Sequence, residues 1–189
     1  DGRIARYRKE GGEGMKILVS ACLLGENCKY NGGSNYSKKV CDFVKGCEVI
    51  PVCPEVLGGL PTPRTPSEIA GGVVRNREGV SVDREFRTGA EKALEIAQHH
   101  HAELAILQSR SPSCGVKEIY DGTFSGKKIP GQGVFAGMLL QAGIQVLDAE
   151  DVPDAGAAPE SSAASSESGN QAENGGTCLL YTSPSPRDS

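Results

Sequence analysis

Basic charge, aromatic side chains and long apolar runs are all scarce in this chain. Tryptophan is absent, and there are only four phenylalanines and five tyrosines among 189 residues. The formal net charge is −4, which argues against a nucleic-acid-binding protein because the affinity of such proteins comes mostly from basic charge. The sequence also has no basic segment that carries aromatic side chains, the kind that stacks on RNA bases. We therefore expect no nucleic-acid partner.

A membrane span and a signal peptide are missing as well. No run approaches the roughly 20 apolar residues that a spanning helix needs, and the apolar part of MKILVSACLLG (15–25) is too short for a secretion signal. We expect a cytoplasmic protein with no membrane partner. Cysteines stay reduced in that compartment and usually serve metal binding or catalysis. Six cysteines lie between residues 15 and 152, so their arrangement becomes the main question.

Both ends of the chain look like additions to a single folded unit. KEGGEGM (9–15) is what an in-frame ribosome-binding site followed by a start codon would encode, so residues 1–14 are predicted to be translated leader. Residues 178–188, CLLYTSPSPRD, match the translation of a sequencing adaptor, and residues 178–189 are predicted to be read-through. Residues 153–177 contain no large apolar side chain and are predicted to be a flexible tail. One domain remains, at residues 15–152.

The order of elements within this domain predicts an α/β fold. Four short apolar runs suit strands that are buried on both faces, as in a parallel sheet: 16–21, 47–52, 103–108 and 144–149. Three segments between or beside them show helical spacing of apolar residues: 37–45, 85–101 and 132–143. We expect a single Rossmann-like domain with a mainly parallel sheet flanked by helices, plus a small inserted β-hairpin at 71–83.

Three cysteines follow the predicted strands closely. Cys22 comes directly after the first strand, Cys53 after the second, and Cys114 six residues after the third. In open parallel sheets ligands bind beyond the carboxyl ends of the strands, so these thiols should meet at one edge. Ser20, Ser111 and Ser113 could supply hydroxyl donors there. Three thiolates are suitable ligands for an iron–sulfur cluster and would leave one iron of a four-iron cube open.

Other interpretations of the cysteines stay open at this point. Isolated buried cysteines are common small apolar residues, and this is the expectation for Cys41. Structural zinc usually takes four ligands in CxxC-like pairs; no such pair occurs, although Cys28 or Cys47 could complete a set. Cys28 is either an accessory thiol of the site or a chance neighbour.

Four further features are candidates for the same site. Glu55, two residues after Cys53, could relay protons or orient a loop N–H group. Arg64 could bind an anionic edge of a substrate or pair with a carboxylate. His99–His101 fall at a predicted helix end, where solvated or cationic histidines suit the helix dipole. GQG (131–133) opens a helix whose N–H groups could hold an anion.

Four long motifs, in order, resemble a known bacterial family. They are SACLLGENCKYNGG (20–33), PVCPEVLGGLPTPR (51–64), SRSPSCG (109–115) and YDGTFSGKKIPGQGVFAGML (120–139). The chain is similar to the family known as domain of unknown function 523, whose characterised members are 2-thiouracil desulfidases. The resemblance covers nearly all of residues 15–148 and excludes both ends of the chain.

The resemblance implies a [4Fe–4S] cluster with three protein ligands, Cys22, Cys53 and Cys114. It implies non-redox removal of sulfur from a small thiolated pyrimidine such as 2-thiouracil, with the open iron accepting the sulfur and water supplying the oxygen. Glu55 and a serine, Ser111 or Ser113, would be the acid/base and positioning groups. The alternatives are a desulfidase for another thioamide or thionucleoside, and a non-catalytic metal-binding or redox-sensing module.

Overall fold

A four-stranded parallel sheet forms the centre of the protein in the computed structural model, which describes residues 15–153. The predictions for residues 1–14, for residues 178–189 and for nearly all of the tail lie outside these residues. In chain order the strands are β1 Lys16–Ser20, β2 Glu48–Val52, β3 Ser67–Ala70, β4 Val73–Asn76, β5 Leu104–Leu107, β6 Glu118–Tyr120, β7 Lys128–Pro130 and β8 Gln145–Asp148. The parallel sheet has the order β2-β1-β5-β8.

Helices cover both faces of the sheet. They are α1 Lys38–Phe43, α2 Pro54–Leu57, α3 Asp83–His99 and α4 Val134–Gln141, with 3-10 turns at Ala21–Leu24 and Ala149–Asp151. One face of the sheet packs on α1, through Val40, Phe43 and Val44. The other face packs on α3 and α4, through Ala90, Ala93, Ala97, Phe135, Ala136 and Leu139. The predicted α/β class is therefore confirmed as a three-layer arrangement.

The strands alternate between these two cores. Ile17 and Val19 of β1 face the α1 side, whereas Leu18 faces α3 and α4. Ile17, Leu18 and Val19 are all fully buried, as expected for a strand with helices on both sides. The near-continuous apolar runs of the sequence predicted the four central strands to within one or two residues at each end.

Two antiparallel hairpins lie outside the central sheet. β3 and β4 pair from Ser67↔Asn76 to Ala70↔Val73, so the hairpin begins four residues before the predicted range, 71–83. The prediction took the turn at Gly71 and Gly72, where both residues have positive φ, for the start of the hairpin. The β6–β7 hairpin was not predicted; its strands have three residues each and β7 is exposed. None of the helices within residues 15–153 is long and apolar enough to cross a membrane.

Candidate active site

A cavity of about 630 Å³ opens at the carboxyl ends of β1, β2 and β5. Cys22, Cys53 and Cys114 all line it, together with Cys28. Their convergence follows from the topology: β1 lies between β2 and β5, and all three strands point the same way. The carboxyl ends of neighbouring parallel strands meet at one edge of a sheet.

Cys114 is held by its own loop and by the start of α4. The Ser111 Oγ accepts the N–H groups of Ser113 and Cys114, each at 3.0 Å. The first N–H groups of α4 then donate to the loop, Val134 to the Pro112 carbonyl at 2.9 Å and Phe135 to the Ser113 carbonyl at 2.8 Å. The sequence suggested that N–H groups at the start of this helix, after GQG (131–133), hold an anion. That hypothesis is wrong, because these N–H groups donate to the loop carbonyls instead.

The Cys114 sulfur is buried and faces hydroxyl groups. Ser20 Oγ donates to it at 3.3 Å and Ser113 Oγ lies 3.7 Å away. Ser20 itself is fixed because its Oγ accepts the N–H of Gln108 at 3.0 Å. Burial raises the pKa of the Cys114 thiol to about 12. A thiolate at this position therefore needs a positive partner to offset the loss of solvation.

Cys22 lies on the 3-10 turn that follows β1. Its carbonyl accepts the N–H groups of Gly25 at 3.2 Å and Asn35 at 3.0 Å, and its sulfur accepts the Asn35 Nδ2 at 3.4 Å. Gly25 ends the turn with a φ of 105°, a conformation that favours glycine. The role of Asn35 was not predicted, because a loop of a dozen residues brings it back to Cys22 and no local pattern marks that return.

Cys53 precedes α2, which is pressed against α3. A Cβ atom on Gly58 would collide with the Glu85 carbonyl, and one on Gly89 with the Pro54 carbonyl. The two backbones therefore touch at a pair of glycines, and this contact sets the position of the segment that carries Cys53 and Glu55.

Cys28 is a fourth thiol at the cavity, beside Cys22 and Cys53. The Cys53 sulfur lies 4.0 Å from the Cys28 carbonyl oxygen. The Cys28 thiol has the largest influence on the pKa of both neighbours; it lowers the pKa of Cys22 and brings the pKa of Cys53 to about 7. The same two neighbours raise the pKa of Cys28 itself.

Glu55 is held at both oxygens. Arg64 Nε donates to Oε1 at 2.9 Å, and Ser113 Oγ donates to Oε2 at 3.0 Å. The guanidinium also donates to the carbonyls of Pro61 and Cys28, at 3.0 and 2.8 Å, and to Thr62 Oγ1 at 2.9 Å. Of the two roles open to Arg64, the structure shows the carboxylate pair. The ion pair is well shielded, with side chains 8% and 14% exposed.

The other sequence candidates lie elsewhere or stay unassigned. His99 ends α3 and both His99 and His101 are exposed, in agreement with the solvated helix end. Cys41 is buried on α1, and Cys47 packs against the core on the α1 side of the sheet. Neither lines the cavity, so neither completes a four-cysteine set there.

The donor set suits an iron–sulfur cluster better than a single ion. Within residues 15–153 no group of three or more His, Cys, Asp or Glu side chains is arranged to hold one metal ion. A cluster of several iron and sulfur atoms needs its thiolates spread around a larger body, and thiolates are its usual ligands. Cys22, Cys53 and Cys114 line one cavity. The Cys114 sulfur accepts a hydrogen bond from Ser20, and the Cys22 sulfur accepts one from Asn35. Such bonds favour thiolate ligands.

Comparison with known proteins decides the family. The sequence profile of the 2-thiouracil desulfurase family matches residues 17–151. The chain belongs to this family. It is 43% identical over 146 residues to the uncharacterised protein YbbK of Bacillus subtilis (strain 168), covering 72% of this chain and 97% of YbbK.

A solved structure points the same way. The [4Fe-4S]-dependent thiouracil desulfidase TudS aligns with a TM-score of 0.69 and 40% sequence identity, over 73% of this chain and 93% of that chain. The resemblance seen in the sequence motifs is therefore confirmed, and so is the α/β fold. As a member of the desulfurase family the chain is a desulfidase, an enzyme that breaks a carbon–sulfur bond.

Proposed function

We propose that this desulfidase uses a [4Fe–4S] cluster to convert a small thiolated pyrimidine such as 2-thiouracil into the corresponding oxo base. One observation carries the proposal: three cysteine sulfurs and a doubly held carboxylate, Glu55, line the same cavity at the carboxyl edge of the sheet. The family match and the [4Fe-4S]-dependent neighbour TudS support it.

Cys22, Cys53 and Cys114 would hold the cluster. With three protein ligands, a bound cluster supplies one iron free of protein, a Lewis acid for a thiocarbonyl sulfur. The overall reaction balances without electron transfer: thiocarbonyl plus water gives carbonyl plus hydrogen sulfide. The oxygen comes from water, and the protein needs a group that takes a proton from that water.

We assign Glu55 as the group that takes the proton from water. Arg64 and Ser113 each bond one of its oxygens and so fix the plane of the carboxylate. A carboxylate oxygen has more than one lone pair, so each oxygen can still accept a hydrogen bond from water. Holding the base in one orientation reduces the rearrangement needed before it takes the proton.

The two serines receive different roles. Ser113 donates to Glu55 and is nearly fully buried, with 2% exposure. Ser111 caps the loop through two backbone N–H groups. We therefore assign Ser113 to positioning the carboxylate and Ser111 to shaping the cysteine loop. The hydroxyls lie 3.0 Å apart, so Ser111 also joins the same hydrogen-bonded chain that ends at Glu55.

Anaerobic loading with iron and sulfide, followed by an assay with 2-thiouracil, tests the proposal. We expect a brown protein that releases sulfide and uracil. Cys53→Ala should lose both the chromophore and the activity, whereas Cys47→Ser, which lies outside the cavity, should retain both. Desulfuration by a protein that contains no iron would contradict the proposal, and so would a loaded protein that leaves every thiolated base unchanged.

Replacement of the carboxylate separates binding of the cluster from turnover. Glu55→Gln keeps the shape of the side chain, so we expect normal iron content and colour. Because the amide cannot take a proton from water, kcat should fall by roughly 100-fold or more, the usual range for losing a general base. Unchanged kcat in a variant with full iron content would remove Glu55 from the mechanism.

A thiolated nucleoside is the second candidate substrate. The cavity volume of about 630 Å³ lies in the range of sites that enclose drug-sized ligands, so there is room beyond a free base. Measuring kcat/KM for 2-thiouracil and for its nucleoside under the same conditions would rank the two substrates.

A further inference from the structure

We propose that Cys28 is a redox-active thiol that forms a reversible disulfide with Cys22 or Cys53 in the cluster-free protein, and that this bond prevents cluster loading. The proposal rests on the assignment of Cys22 and Cys53 as cluster ligands. It adds a function for a fourth thiol that the desulfuration reaction does not use.

The position of Cys28 is the first support. Cys22, Cys28 and Cys53 line the same open cavity and are half-buried, and the Cys53 sulfur lies 4.0 Å from the Cys28 carbonyl oxygen. Soluble oxidants therefore have access to a group of neighbouring thiols. Cys114 differs because it is buried and its sulfur faces Ser20 and Ser113 instead.

The backbone of Cys28 is held in place, although it lies in a loop. Its N–H donates to the Glu26 carbonyl at 2.9 Å, and its carbonyl accepts Arg64 Nη2 at 2.8 Å. The Cys53 sulfur lies 4.0 Å from the same carbonyl oxygen. A disulfide brings two sulfurs to about 2.05 Å, and the proposal requires only that side chains turn within this fixed frame to bring the sulfurs that close.

The chemistry requires a two-electron oxidant, for which we name a peroxide. Hydrogen peroxide takes two electrons from the two sulfurs, the S–S bond forms, the O–O bond breaks, and both thiol protons leave with the oxygens as two water molecules. A dithiol or phosphine reductant returns two electrons and restores the thiols. In the oxidised state one of the three predicted ligands is no longer available as a thiolate, so the cluster cannot assemble on its full set.

Peptide mapping of the cluster-free protein tests the disulfide directly. Wild-type protein, Cys28→Ser and Cys47→Ser would be treated with hydrogen peroxide, alkylated, digested and analysed by mass spectrometry. We expect a cross-linked peptide that joins residue 28 to residue 22 or 53 in the wild type and in Cys47→Ser. Absence of any cross-link from Cys28 would overturn the proposal, whether or not the protein is active.

Iron uptake tests the consequence. The same samples would be offered ferrous iron and sulfide without a thiol reductant, and bound iron would be measured. We expect the oxidised wild type to lose most of its uptake and to regain it after phosphine treatment, whereas peroxide-treated Cys28→Ser should load like untreated protein. Equal loss of uptake in both Cys28→Ser and Cys28→Ala would contradict the role of Cys28. A loss confined to Cys28→Ser would come from the serine itself, and normal loading of peroxide-treated Cys28→Ala would then support the role.

These outcomes separate the inference from the function on which it rests. If untreated wild-type protein takes up no iron, the cluster proposal fails, and the peptide map still reports whether Cys28 pairs with its neighbours. If untreated protein loads and desulfurates while the map shows no Cys28 disulfide, only the inference fails.

Discussion

The hydroxyls of Ser111 and Ser113 lie 3.0 Å apart but have different partners. Ser111 accepts two backbone N–H groups of the cysteine loop, whereas Ser113 donates to the carboxylate of Glu55. The sequence motif contains both serines and does not distinguish them. The distinction comes from Glu55, which is 58 residues away in the chain, so only the folded structure can supply it.

Replacing each serine should therefore give different defects. Ser113→Ala removes one hydrogen bond to a charged group, which is worth about 1.5–3 kcal/mol; if that bond serves to position Glu55, kcat should fall about tenfold or more. Ser111→Ala leaves two loop N–H groups without their acceptor and should lower the free energy of unfolding by about 1–3 kcal/mol. Urea denaturation and steady-state kinetics on both variants measure the two effects. The opposite pattern would reverse the assignment.

Arg64 makes four hydrogen bonds through one planar guanidinium, one to the Glu55 carboxylate and three to two loop segments. Lysine keeps the charge but has three donors at a single point and cannot reproduce this geometry. We expect Arg64→Lys to lower the free energy of unfolding by about 1–3 kcal/mol and to reduce kcat because Glu55 loses its orientation.

A matched control exists at Arg87. It pairs with Asp83, one turn away on the same helix, and its side chain is 46% exposed. Arg87→Lys should therefore change the free energy of unfolding by only about 0.5 kcal/mol. Similar small changes for both variants, measured by urea denaturation, would show that the Arg64 contacts are unimportant for folding.

Residue types predicted the place of the cysteines better than the partners of the charged groups. Cys22 and Cys53 follow apolar strands directly, and parallel topology alone brings them to one edge. For Arg64 the sequence left two roles open, because its choice of Glu55 depends on how a proline-rich loop folds back. The roles of Glu55 and the serines were suggested both by their position in the sequence and by the family resemblance, and they stay proposals.

At the scale of elements, the start of α4 acts as the support of the Cys114 loop. Gly133 precedes the helix, and its own N–H donates to the Gly115 carbonyl at 2.9 Å. A Cβ atom at this position would lie 2.6 Å from the Ser113 carbonyl oxygen and 2.8 Å from that of Pro112. The glycine is thus required for close approach of two backbones rather than for an unusual φ.

Gly133→Ala should displace the loop and weaken the site. Because the contacts are with backbone atoms, the loop must move, and we expect lower stability together with reduced iron uptake. Gly137→Ala is the control within the same helix, since a Cβ there meets nothing within 4 Å and alanine favours helix by about 0.5–1 kcal/mol over glycine. Thermal unfolding and iron content would be measured for both. Full iron uptake by Gly133→Ala would contradict the role given to this contact.

Elements differed in how well the sequence revealed them. The central strands were predictable because their residues are apolar on both faces, and α3 because its buried residues Phe86, Ala90, Ala93 and Ala97 follow helical spacing. β3, β6 and β7 were missed or misplaced, since they are short, partly exposed and stabilised by contacts outside the strand. One such contact is Glu68 Oε1, which accepts the N–H groups of Gly122 and Phe124 at 2.9 and 3.0 Å and joins the two hairpins.

At the scale of the whole molecule, the folded unit can be bounded from its core. The first strand begins at Lys16, and Val152, which is 2% exposed, still packs in the core on the α1 side. Before it, Glu150 and Asp151 pair with Arg110 and Lys117. The family match spans nearly the same range, residues 17–151. We therefore propose that residues 15–153 contain all that is needed for stability and for binding the cluster.

Two shortened chains test this boundary. A chain of residues 15–153 should match the full chain in free energy of unfolding to within about 0.5 kcal/mol, as for changes away from packed groups, and in iron bound per protein. A chain that ends at Ala149 loses Val152 and both ion pairs, and burial of one such side chain is worth about 1.5–3 kcal/mol, so its unfolding free energy should fall by at least that amount. Instability of the 15–153 chain would show that the predicted leader or tail belongs to the fold, because the core inside those limits would then be insufficient.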